Sequence, residues 1–139
     1  MAEATPTALE IYVGSFADVS YGLWWDGRQL VYETFAPGYE DRAQIVVSPS
    51  RAQWARFWRT IDEIGVWSWG GRYAAGERFE PPEVIRDGTH WSLTLSRSDR
   101  SVESCGDSAG PDSADLDDSR PFQLFAQAVS RLIGGRRFS

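Results

Sequence analysis

A histidine, a cysteine and an aspartate recur along one stretch of this chain in an order that could support thiol chemistry. His90 is the sole histidine and Cys105 the sole cysteine, and Asp107 follows closely after the cysteine. If the arms on either side of Ser98-Asp99 form a hairpin, the period of two places His90, Ser92 and Thr94 on one face. Glu103, Cys105 and Asp107 of the returning strand join them there, and a register shift of two residues leaves the grouping intact. An imidazole lowers the pKa of a neighbouring thiol and a carboxylate orients the imidazole, so His90, Cys105 and Asp107 are the candidate catalytic set of a small hydrolase-like enzyme. The plainer reading is the solvated side of an antiparallel sheet, where polar side chains belong. That reading is favoured, because no motif announces the oxyanion hole and cleft such an enzyme needs.

The acidic run Asp112-Ser-Ala-Asp115-Leu-Asp117-Asp118 invites a calcium reading, since hard cations take several carboxylate oxygens. Its spacing departs from the calcium-loop pattern: no glycine follows, and Gln123 or Ala126 stands where the distal glutamate belongs. These four aspartates are therefore weak metal candidates. The favoured account is a solvated loop that feeds negative charge to the start of a helix near Pro121. A single histidine removes any multi-histidine metal site. Gly70-Gly71 and Gly134-Gly135 lack the strand-then-helix setting of a phosphate loop, and no cofactor is expected.

Aromatic residues are the most unusual feature, with seven Trp, five Tyr and seven Phe in 139 residues. Trp24 and Trp25 are consecutive in a predicted strand, so they point to opposite faces and only one can join a core on a single side. With Leu23 and Leu30 on the core side, Trp25 is inside and Trp24 outside, beside Gln29 and Val31. Trp67 and Trp69 would share a face if extended, and both lie close to Tyr73. Trp24, Trp67, Trp69 and Tyr73 are accordingly the candidate ligand-binding residues. The alternative for all of them is core and rim packing, since Trp is highly buried on average.

These residues must be positioned by a rather short list of elements. Leu9, Ile11 and Val13 alternate with Glu10 and Tyr12, the pattern of a half-buried strand. Asp26-Gly27 between two β-prone runs signals a hairpin, and Ala43–Val47 reads as a fourth strand. Ser48-Pro49 reads as a helix start. Beyond it Trp54, Phe57, Trp58, Ile61 and Ile64 form one apolar stripe, which Gly65 terminates. A second hairpin-like unit begins at Val84, passes Asp87-Gly88 and puts Trp91, Leu93 and Leu95 on the core side. Phe122, Phe125, Val129, Leu132 and Ile133 then mark a second amphipathic helix ended by Gly134-Gly135.

The second half, with Asp87-Gly-Thr-His-Trp91-Ser-Leu-Thr-Leu95, Ser104-Cys-Gly106-Asp-Ser108, Pro111 and a helix carrying Phe122 and Phe125, resembles a family of small uncharacterised bacterial α+β domains. Trp69 and Tyr73 match a W-x-x-x-Y segment of that family. The resemblance spans about residues 50–135 and implies a fold without implying an activity. Two departures stand out: the stretch from Gly110 to Ser119 is longer and more acidic, and Ser108-Ala109 replaces an Asn-containing step.

The expected architecture is α+β, a twisted antiparallel sheet of about six or seven strands with two amphipathic helices packed on one face. A single domain over 1–139 is expected, its ordered core running from about 8 to 134. All 14 basic residues are arginine, and the formal net charge is −6, which disfavours nucleic acid and anionic membrane as partners. No apolar run reaches the length of a membrane helix and the N-terminus lacks a signal-peptide profile, so the expected compartment is the cytoplasm. The function expected is a non-catalytic binding or interaction module with an aromatic contact surface. Its partner would be a protein, a peptide or a small molecule, and a homodimer is left open.

Overall fold

The computed structural model describes residues 5–15, 19–36, 42–74, 89–113 and 116–138. Among the described residues, seven strands form one sheet in the order β4-β3-β2-β1-β6-β7-β5. They are β1 (Ala8–Ser15), β2 (Ser20–Trp25), β3 (Leu30–Phe35), β4 (Arg42–Val47), β5 (Arg72–Ala74), β6 (Thr89–Arg97) and β7 (Arg100–Asp107). All neighbours are antiparallel except β5, which runs parallel to β7. The first strand of the sequence therefore becomes the centre of the sheet, zipped to β2 on one side and to β6 on the other.

Two helices, α1 (Arg51–Ile64) and α2 (Arg120–Leu132), pack on each other and on one face of the sheet. The stripe of α1 buries Trp54, Phe57, Trp58 and Ile61, and α2 buries Phe122, Phe125, Val129 and Leu132. From the sheet come Leu9, Ile11, Leu23, Leu30, Trp91, Leu93 and Leu95, the residues that alternation places on one side. Helix one starts at Ser50 rather than Ser48. The Ser50 hydroxyl accepts from Gln53 N, and the Gln53 side chain reciprocates at Ser50 N, a capping box that satisfies two otherwise orphaned donors. Gly65 ends the helix at φ 82°.

Three further findings depart from the sequence expectation. The hairpin turn is centred on Gly27 and Arg28: Asp26 N donates to Gln29 O at 3.1 Å, and Trp25 lies opposite Leu30, Trp24 opposite Val31. Residues Val66–Ser68 form a turn of 3-10 helix, so Trp67 and Trp69 do not share an extended face. The packed core also continues past Gly134. Phe138 is 2% exposed and lies between Tyr21 and Tyr32, while the Tyr32 hydroxyl donates to Arg137 O at 2.6 Å. Val84 to Gly88, expected to begin the second hairpin, falls outside the described residues.

Candidate functional site

The chemistry-bearing side chains stand on the sheet face away from the helices, and register lays them out in rows. One row runs Gly14, His90, Asp107. The next runs Glu33, Gly22, Tyr12, Ser92, Cys105, Arg72, and a third Val46, Val31, Trp24, Glu10, Thr94, Glu103. The predicted grouping of His90, Ser92, Thr94, Glu103, Cys105 and Asp107 on one face is thus present.

Within it, His90 Nδ1 and Asp107 Oδ1 are 2.6 Å apart, each side chain about half exposed at 48% and 49%. Arg72 Nη2 approaches the other carboxylate oxygen at 3.5 Å. This carboxylate fixes the imidazole through Nδ1, leaving Nε2 as the ring nitrogen outside that bond. Cys105 stands opposite Ser92, one row from the histidine, and its Sγ lies 3.5 Å from Gly71 O. The pair that the structure forms is imidazole with carboxylate, and the thiol contact it records is to a backbone carbonyl.

Two residues of this region escaped sequence reasoning. Arg72 arrives on β5, whose three residues carry no periodic signal. Tyr12 was read only as the polar side of an alternating strand. A Cβ at Gly14 would collide with the Tyr12 ring and hydroxyl, so the phenol lies over Gly14 on the row of His90 and Asp107.

The other half of the same face is apolar and closely packed. The Trp24 and Phe35 rings lie 3.7 and 3.8 Å from where a Gly22 Cβ would be, and Tyr12 meets Phe35 edge-on at 6.4 Å. Beneath them Glu33 is 3% exposed. Arg42 holds its carboxylate through Nε at 2.8 Å and Nη2 at 2.6 Å, while the same guanidinium lies over the Phe35 ring at 5.1 Å. Trp24 is half-buried here, and Trp25 packs edge-on against Trp54 on the helix side, the division that parity predicts.

The remaining aromatic candidates are engaged in packing. Trp67 stacks on Trp58 at 6.3 Å and donates through Nε1 to Asp62 at 2.8 Å. It borders a cleft of about 140 Å³ with Asp62 and Arg100, which is smaller than the ~300 Å³ at which ligand pockets begin. Trp69 lies edge-on to Trp91 and Phe125. Tyr73 stacks on Trp91, and its hydroxyl accepts from Gly70 N at 2.7 Å. The second-half motif likewise builds structure. Ser104 donates to Gly70 O at 2.6 Å, Trp91 Nε1 donates to Ala109 O at 2.9 Å, and a Cβ at Gly106 would strike both Trp91 and Ala109 O.

A larger cavity of about 470 Å³ lies between α2 and the ends of β1 and β2, lined by Tyr21, Thr89, Phe122, Gln127, Arg137 and Phe138 among others. Of the sequence candidates, Asp117 of the acidic run lines it. Asp112, Asp117 and Asp118 are exposed, and Asp115 lies outside the described residues. Around them Pro111, Leu116 and Ser119 are buried, with Ser119 Oγ donating to Pro111 O at 2.5 Å, so the acidic loop is packed on one side and solvated on the other. Among the described residues no group of three or more His, Cys, Asp or Glu side chains could hold a metal ion, and no helix is long and apolar enough to cross a membrane. No family model matches the chain, and a comparison with curated proteins finds no match.

Proposed function

We propose that this chain is a non-catalytic interaction module whose contact surface is the β4 edge with exposed Ile45 and Val46, flanked across buried Val31 by half-buried Trp24. The observation that carries this reading is that Ile45 and Val46, 40% and 53% exposed, are the exposed large hydrophobics among the described residues. Among the described residues, both sit on a strand that pairs on one side only. An unpaired strand edge presents backbone donors and acceptors that a partner strand completes, with side-chain contacts supplying selectivity. A chain with one cysteine forms no internal disulfide, which fits a cytoplasmic setting.

A photo-crosslinking residue at position 46, expressed in the cell that makes the protein, tests the reading against the same residue at position 94 on the polar half of the face. Discrete adducts from position 46 that are missing from position 94 are expected. Equal patterns from the two positions, or no adduct from position 46, would overturn it.

The 2.6 Å His90–Asp107 contact favours a second reading, a thiol hydrolase in which Asp107 orients His90 toward Cys105. Under that reading Cys105 alkylates rapidly below pH 7, as an activated thiolate does. An ordinary alkaline alkylation profile removes it.

A further inference from the structure

The two edges of the sheet are built differently. β5, described over Arg72–Ala74, presents Arg72, whose side chain is 71% exposed; charge is a device that keeps an edge from pairing with another chain. β4 runs six residues as RAQIVV, with no proline, no glycine and no carboxylate. Its one charge, Arg42, is matched at 2.6 Å by Glu33 of its own chain. Ile45 and Val46, being adjacent, project to opposite faces of this strand, so each face has an uncovered apolar side chain at the edge.

Resting on the reading that β4 is the contact surface, we infer that its occupant is a second copy of this chain, β4 pairing antiparallel with β4 about a two-fold axis perpendicular to the sheet. Such an axis keeps both helical layers on one side, so residues facing each other must belong to the same face. Placing Ile45 on the axis meets that condition along the whole strand: Gln44 faces Val46 of the second copy, Ala43 faces Val47 and Arg42 faces Ser48. Charge is compatible with this arrangement. Each chain carries a formal net charge of −6, and like charges set opposite each other across a ladder are destabilising. Here no charged residue faces another, and the approaching strands contain no carboxylate. The assembly is also closed. Pairing consumes both β4 edges and, among the described residues, leaves the charged β5 edges at the ends of the combined sheet, so growth stops at two copies.

Sedimentation equilibrium of the full chain over a concentration series is expected to show a monomer–dimer equilibrium. Ile45→Lys and Val46→Lys should each weaken it at least about tenfold, because each places like charges near the axis. In a Cys105→Ser background, Gln44→Cys should crosslink to itself through a short bis-maleimide, whereas Ser101→Cys on the exposed part of β7 should not. The crosslink reads the geometry without introducing charge, so it stands if a lysine variant folds poorly. A monomer at every concentration, a dimer indifferent to both lysines, or equal crosslinking at 44 and 101 would overturn the inference. The contact-surface reading fails separately: monomeric protein with a heterologous adduct at position 46 removes the second copy and keeps the surface, while no adduct of any kind removes both.

Discussion

Trp58 and Trp24 stand on opposite faces of one sheet, and the difference between them separates two uses of the same residue type. Trp58 is 2% exposed, stacked between Trp54 and Trp67, set edge-on to Phe57 and covered by the Arg97 guanidinium at 4.8 Å. Trp24 is half-buried and rests over Gly22 beside Phe35, next to the row that leads to exposed Val46. The covered face spends its tryptophans on cohesion, with ring pairs linking α1, the 3-10 turn at Val66–Ser68 and β6. Among the described residues the other face has one tryptophan, half-buried, outside that network. An aromatic-rich composition therefore speaks mostly to packing here, and recognition has to be argued from the few rings outside the stack.

The largest effect expected from this contrast is Trp58→Ala, which should cost about 3–5 kcal/mol, since a large ring is lost from a site with partners on several sides. A thermal or denaturant melt equal to wild type would show that the stripe of α1 does not hold the sheet. Next is Arg42→Ala on the face away from the helices, where buried Glu33 loses the guanidinium that satisfies both bonds. Because Arg42 is 62% exposed, water partly replaces it and a loss of about 1–3 kcal/mol is expected. Glu33→Gln combined with Arg42→Ala should recover part of that loss, because a neutral amide is cheaper to leave without a charged partner.

How much of this was legible beforehand depends on the range of the interaction that decides it. Alternation in β6 put Trp91, Leu93 and Leu95 inside, and the 3.6-residue spacing of α1 put Trp54, Phe57, Trp58 and Ile61 inside, because both patterns are local. The His90–Asp107 pair was reachable because a tight hairpin fixes register between neighbours in sequence. Arg72 and Tyr12 were not, since they reach the same region through a parallel pairing and through the β1–β6 ladder, contacts between segments far apart in the chain. Phe138 escaped for a related reason: a lone aromatic after two glycines carries no period, and its burial is decided by Tyr21 and Tyr32. Tyr32 itself has its pKa raised, first by burial of the phenol and then by neighbouring Tyr21.

Trp24→Ala distinguishes the two faces more finely. Stability should change by about 1 kcal/mol or less, the range of a partly exposed site, while association through the β4 surface weakens. Sedimentation and a melt on the same preparation check both halves of the expectation. A loss as large as that of Trp58→Ala would mean that the two faces are equally cohesive and that the distinction between them fails.

The smallest effect concerns the turn that puts Trp24 and Trp25 on different faces. Asp26 accepts from Arg28 N at 2.9 Å and from Gln29 N at 2.8 Å, and Gly27 supplies φ 102°. The carboxylate thereby locks a turn with Gly27 and Arg28 at its centre, which sets Trp25 against Leu30. The backbone bond from Gln29, followed by that from Arg28, lowers the Asp26 pKa below the ordinary 3.8. A carboxylate with a depressed folded pKa binds its proton more weakly in the folded than in the unfolded chain. Its contribution is therefore fully present above the ordinary value and is lost as pH falls through the folded value. Asp26→Asn keeps an oxygen acceptor and removes the titration, so the stability difference between wild type and variant should be constant near neutral pH and shift against wild type only below about pH 4. Denaturant melts at a series of acid pH values measure the difference, and carboxyl chemical shifts report the Asp26 midpoint directly. An ordinary midpoint, or a difference that varies with pH near neutrality, would mean that the carboxylate does not hold this turn and that the parity of Trp24 and Trp25 is fixed by packing of Trp25 on Trp54 instead.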